Sequence, residues 1–202
     1  MAAPSPTRSP GTASPPLPLP TAAQLITLHG MAPHPEGGYY VETFRSMHST
    51  AILYLLPAGH ASALHKLLVA DEVFHLYPST AAAVLFEYDE VAHEATRTVL
   101  GADAAAGEKV QHVFRASKWF GAYVPPDPNV DRDDLENVPY ALIGCTVAPA
   151  FQFAEFALAS RELWHELLAK LPEYRADLAH LGRPDPSLVP RNDAADEAEN
   201  SE

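Results

Sequence analysis

Residues 62–80 read SALHKLLVADEVFHLYPST. Two apolar runs of strand length, 63–68 and 72–77, flank a short Ala-Asp break. Each run carries a histidine, and an Asp-Glu pair lies between them. Runs this short and rich in Leu, Val, Phe and Tyr predict paired β-strands. Working outward, similar runs fall near 39–46, 51–56, 82–89, 95–100, 110–115, 119–124, 140–147 and 151–158. Many short strands with turn signals at regular spacing predict a β-sandwich or barrel.

The flanks of this β region read differently. TAAQLITLHGM, residues 21–31, predicts a short helix with Thr21 as its cap and Gly30 as its stop. SRELWHELLAKLPEYRADLAHL, residues 160–181, predicts C-terminal helix with Ser160 as cap and a break at Pro172. Residues 1–20 hold many of the chain's 20 prolines and lack an apolar period, which predicts a disordered lead. The folded domain is expected over 21–182, followed by a solvated acidic tail over 183–202. The Gly-rich stretch 101–109 and the acidic, proline-flanked stretch 125–139 read as surface loops. The latter lacks the spacing and glycine of a calcium loop.

Composition narrows the function. Hydrophobic residues make up 47% and charged residues 19%, the balance of a globular chain. The 13 Lys+Arg are scattered and the formal net charge is -13, which argues against nucleic-acid binding. No run of 18 or more apolar residues predicts a membrane span. The single cysteine, Cys145, excludes an internal disulfide and a Cys-based zinc site, and suits a cytoplasmic protein. Cys145 itself reads as a strand thiol packed in the core.

Four blocks, HPEGGYYVETFRS, SALHKLLVADEVFHLY, VLGADAAAGEKVQHVFRASKWFGA and ALIGCTVAPAFQFAEFALASRELW, occur in that order. Together they resemble a small cupin family, cupin-like type five, a domain of unknown function in the RmlC-like cupin superfamily. The resemblance covers roughly residues 21–172. It implies an all-β fold, the double-stranded β-helix or cupin jelly roll, with short N- and C-terminal helices. It also implies a likeness in fold to the sugar-nucleotide epimerase branch of the cupins, and a homodimer. The chain departs from the family at the long 125–139 excursion, at Ser79 and Ser117 where glycine is usual, and near Arg115 where proline is usual.

Metal-binding cupins place two histidines one residue apart, a glutamate five residues on and a third histidine in a later strand. Laid on that pattern, His65 and Glu72 fit, but Leu67 and Phe120 stand where histidines are needed. Two ligands of four are a poor cage for a transition metal. No cofactor is therefore implied, a divalent metal being the alternative. His75, three residues from Glu72, points to the other face of a regular strand, although a bulge would bring it inward.

An organic ligand suits the residues better. His65 and Glu72 are the candidate catalytic pair, His65 as base and Glu72 either orienting it or acting as second acid. Arg45 offers a fork for a carboxylate or phosphate, with Glu42 or Glu36 as its competing ion-pair partner. Glu42, Ser62, His75, Gln111 and Trp119 complete the candidate ligand-binding set. The expected function is binding of a small polar, sugar-like or carboxylated metabolite in the barrel, with epimerisation or isomerisation as the reaction. The alternatives are a non-catalytic metabolite-binding or sensing protein, and a metal-dependent cupin enzyme.

Overall fold

The apolar runs become strands because their alternate residues find a common interior. The computed structural model describes residues 18–182. The expectations for residues 1–17 and for the 183–202 tail lie outside the described residues. The first element of the described residues is helix α1 (Ala22–His29), followed by strands β1 (Ala32–Pro33), β2 (Tyr39–Arg45), β3 (Thr50–Pro57), β4 (Ala61–Leu67) and β5 (Asp71–Leu76). Next come β6 (Ala83–Asp89), β7 (Glu94–Leu100), β8 (Gln111–Phe114), β9 (Trp119–Tyr123), β10 (Tyr140–Ala148) and β11 (Phe156–Leu158). Helices α2 (Arg161–Lys170) and α3 (Arg175–His180) follow.

One antiparallel sheet has the order β1-β2-β3-β10-β5-β8 and the other β11-β4-β9-β6-β7. The strand order of each is far from chain order, as a double-stranded β-helix requires. Between the sheets lies a core that includes Tyr54, Leu56, Phe74, Leu85, Phe114, Phe120 and Ile143, all nearly inaccessible to water. The outer face of the five-stranded sheet carries Leu64, Phe86, Tyr88 and Trp119, and Leu167, Leu171, Leu178 and Leu181 from the C-terminal helices cover it.

The local signals explain the helix ends. The Thr21 hydroxyl accepts from the Gln24 N–H at 3.1 Å, and the Gln24 side chain accepts from the Thr21 N–H at 3.0 Å. This reciprocal pair satisfies two backbone donors that the first turn leaves free. Gly30 ends the helix in the left-handed conformation at φ 63°. Ser160 caps α2 by accepting from the Leu163 N–H at 3.1 Å. Thr21→Ala is expected to lower stability by about 1 kcal/mol, read as a shift in the denaturant midpoint.

Three expectations need correction. The strand expected over 151–158 is shorter, because a 3-10 turn occupies Phe153–Glu155 before β11. The 125–139 excursion is not a freely solvated loop. It is folded by Asx-type turns at Asp127 and Asp131, its Leu135 carbonyl accepts from the Ala23 N–H of α1, and Val138 is buried. Strand β1 had no run long enough to signal it. Ser117, one of the departures named above, has φ 67°, a backbone conformation glycine adopts without strain.

Two bulges decide what the cavity sees. In β2 the register against β3 shifts between Glu42 and Phe44, so Glu42 pairs with Ile52 and Arg45 with Thr50. In β4 the register against β9 shifts between Ser62 and His65, so Ser62 pairs with Ala122 and His65 with Phe120. Each bulge brings residues three apart onto one side of a strand, where a regular strand would oppose them.

Candidate active site

The mouth of the barrel opens on a cavity of about 280 Å³. Its polar lining includes His34, Glu36, Glu42, Arg45, His65 and Glu72, from the loop before β2 and from β2, β4 and β5. Phe151, Phe153 and Phe156 form an apolar side.

His65 sits at the inner end, 2% exposed, with its ring 4.1 Å from that of Phe120. Its Nδ1 lies 2.7 Å from the Ala63 carbonyl oxygen, an atom that can only accept, so Nδ1 carries the proton. The lone pair is then on Nε2. Burial in this apolar wall lowers the imidazole pKa to about 4. The ring is neutral at pH 7.

Glu36 buttresses it. One carboxyl oxygen of Glu36 lies 3.3 Å from His65 Nδ1, and the other accepts from the Ser62 hydroxyl at 2.9 Å. Its backbone N–H donates to His34 Nδ1 at 3.3 Å. Burial raises the Glu36 carboxyl, against the pull of His34 and Ser62. Burial lowers the His34 imidazole. Glu72 has the Cys145 thiol and the Glu36 carboxyl as polar neighbours. Burial, and then repulsion from Glu36, push its pKa up to about 8, with the thiol contact opposing. Glu72 is therefore a carboxylic acid, not a carboxylate, at neutral pH. Burial raises the Cys145 thiol well above its usual range, which leaves it protonated and a poor nucleophile.

At the rim, Arg45 Nε and Nη2 donate to the two carboxyl oxygens of Glu42 at 2.9 and 2.6 Å. Its Nη1 donates to the Phe151 carbonyl at 3.1 Å.

The family model described as Cupin superfamily (DUF985) matches residues 23–159. The chain belongs to that family. Among solved structures, this cupin is similar to a hypothetical protein from Leishmania major, at 25% identity and a TM-score of 0.65, with 81% of this chain and 99% of that chain covered. It is similar also to a protein from Shewanella oneidensis, at 28% identity and a TM-score of 0.66, with 83% of this chain and 100% of that chain covered. No protein of curated function matches it.

Of the residues singled out from the sequence, the cupin brings His65, Glu72, Arg45 and Glu42 to one cavity. Ser62 is inside the barrel but behind the wall, bonded to Glu36. His75 and Gln111 lie away from it. They pair across β5 and β8 on the outer face, Gln111 Nε2 being 3.1 Å from His75 Nδ1. No bulge interrupts β5, so His75 keeps the parity opposite to Glu72. Trp119 is on the outer face of β9, under the Lys66 ammonium at 4.3 Å, while its neighbour Phe120 turns inward. Alternation along β9 allows only one of two adjacent residues to face the cavity, and here it is Phe120. Cys145 is buried as expected of a core thiol, yet it lines the cavity. Glu36 and His34 were missed as cavity residues, because no local pattern ties them to β4.

The donor set does not suit a transition metal. Phe120 and Leu67 fill two of the four positions at which metal cupins carry ligands, which leaves only His65 and Glu72 of that set at the cavity. Among the described residues, no three His, Cys, Asp or Glu side chains converge on a point that would hold an ion. Among the same residues, no helix is long and apolar enough to cross a membrane.

The two displaced pKa values set the pH dependence of stability in opposite senses. For Glu72, burial costs nothing below its usual value of 4.5 and stability is lost as pH rises towards 8. For His65, stability is lost as pH falls from 6.5 towards 4. Between 4.5 and 6.5 the two slopes offset. From pH 6.5 to 8 only the Glu72 loss acts within this pair, at most about 2 kcal/mol. The melting temperature is therefore expected to drop over that interval, and Glu72→Gln is expected to flatten the drop. An equal drop in both proteins would contradict a protonated Glu72.

Proposed function

We propose that this cupin binds a small polar carbonyl compound in its barrel and isomerises or epimerises it by proton transfer. The observation that supports this reading is the pairing of His65 and Glu72, both buried, in the lining of one cavity, with pKa values displaced in opposite directions. Two titratable groups set apart in this way divide the work of base and acid. His65 Nε2 takes the proton from the carbon beside the carbonyl. The C–H electron pair moves to form an enol, and the carbonyl oxygen takes the Glu72 proton or its hydrogen bond. Return of a proton to the other face, or to the neighbouring carbon, completes the change. Glu36, 3.3 Å from His65 Nδ1, steadies the imidazolium that forms in between.

The test is deuterium wash-in. Wild-type protein in heavy water is mixed with a panel of aldoses, ketoses and 2-oxo acids, and the carbon next to each carbonyl is followed by NMR. Incorporation catalysed by the protein supports the reading. A ligand that perturbs cavity resonances without any wash-in would instead make the protein a metabolite binder.

A further inference from the structure

The charges around the cavity are uneven. The carboxyls of Glu36, Glu42 and Glu72 face it, Glu72 as the neutral acid, and among the described residues Arg45 is the one Lys or Arg that does. The Arg45 fork is already filled, by both oxygens of Glu42 and by the Phe151 carbonyl. The β2 bulge makes this pairing, because it sets Glu42 and Arg45 on one side of the strand. At the inner end, burial holds His34 and His65 towards their neutral forms. An entering carboxylate or phosphate thus meets no free cation. To reach Arg45 it must displace Glu42, whose charge stays at the rim and repels it. An uncharged polyhydroxyl compound meets no such opposition. His34, Glu36, Tyr40 and Thr50 offer donors and acceptors around it, and the phenylalanine side supplies apolar contact.

We propose that Glu42 is a specificity-determining residue, which by occupying the Arg45 fork restricts the cavity to uncharged polyhydroxylated carbonyl compounds and turns away carboxylates and phosphate esters. The proposal rests on the ligand-binding part of the function proposed above. The Glu42–Arg45 pair is partly exposed and holds little energy of its own. It acts by exclusion.

The experiment titrates glucose, glucuronate and glucosamine into the full chain, as wild type and as Glu42→Gln, by calorimetry or by NMR shifts. Each charged probe differs from glucose in a single substituent and its charge. Wild type is expected to bind glucose roughly tenfold more tightly than glucuronate. Glu42→Gln keeps the shape and removes the charge, so glucuronate should gain until the two differ by less than about threefold. A wild-type preference for glucuronate or glucosamine, an unchanged ratio in Glu42→Gln, or no binding of any probe at about 100 mM, far weaker than ordinary metabolite affinity, would overturn the proposal. Unfolding curves of the variant should match wild type, since both rim side chains reach solvent. Glucose binding without deuterium wash-in would sink the isomerase reading alone and leave this one standing.

Discussion

Replacing His65 by asparagine is expected to lower deuterium wash-in by roughly 10²–10⁴-fold, the usual contribution of a positioned general base. Asparagine is the informative choice. Its amide nitrogen falls near the place of Nδ1, so the hydrogen bond to the Ala63 carbonyl survives while Nε2 is removed. Ligand binding and the unfolding midpoint should change little, which separates a chemical role from a structural one. The wild-type rate should also carry both displaced pKa values. The base is free above about 4, and the acid is protonated below about 8. The rate is then flat between those limits and falls on either side. Glu72→Gln should lose most of the rate and the alkaline limb with it. An undiminished rate in His65→Asn would remove the imidazole from the mechanism.

Gly37→Ala is expected to cost about 4 kcal/mol or more and to leave little folded protein at 37 °C. Gly37 has φ 113°, a region side chains rarely enter, and an added Cβ would collide with the Ala61 carbonyl oxygen. That oxygen belongs to β4, so the obstacle is backbone and does not swing away. The Gly37 carbonyl in turn accepts from the Tyr54 hydroxyl at 2.6 Å, and the Gly37 N–H donates to the His34 carbonyl at 2.9 Å. The turn therefore locks the loop against β3 and β4 and presents Glu36 to His65. Whatever fraction of Gly37→Ala folds should bind and turn over ligand poorly. Denaturant unfolding measures the first effect and wash-in per folded molecule the second. A variant as stable as wild type would mean that the loop relaxes without this turn.

Much of the fold was legible in the residues. Thr21, Gly30 and Ser160 mark helix ends because capping is a local interaction between near neighbours. The strand runs were legible for a similar reason, since burial on alternate residues imprints a short period. The placement of His65 and Glu72 toward one cavity followed from the cupin blocks. The rest depended on contacts that sequence spacing does not encode. Neither bulge carries a glycine or other marker, so the shared side of Glu42 and Arg45, and of Ser62 and His65, was hidden. Glu36 reaches His65 across 29 positions of chain. For Trp119 the difficulty was one of phase: alternation says that Trp119 and Phe120 face opposite ways, not which of them faces in.

The irregularity in β2 makes the rim a matter of strand register. Were Thr43 to pair regularly with Ala51 instead of bulging, the Arg45 guanidinium would turn to the outside and the Phe44 ring inward in its stead. A charged, lockable entrance would become an oily one, with the scaffold behind it untouched. Relatives that differ in register at this point would thus admit unlike molecules through otherwise matching barrels.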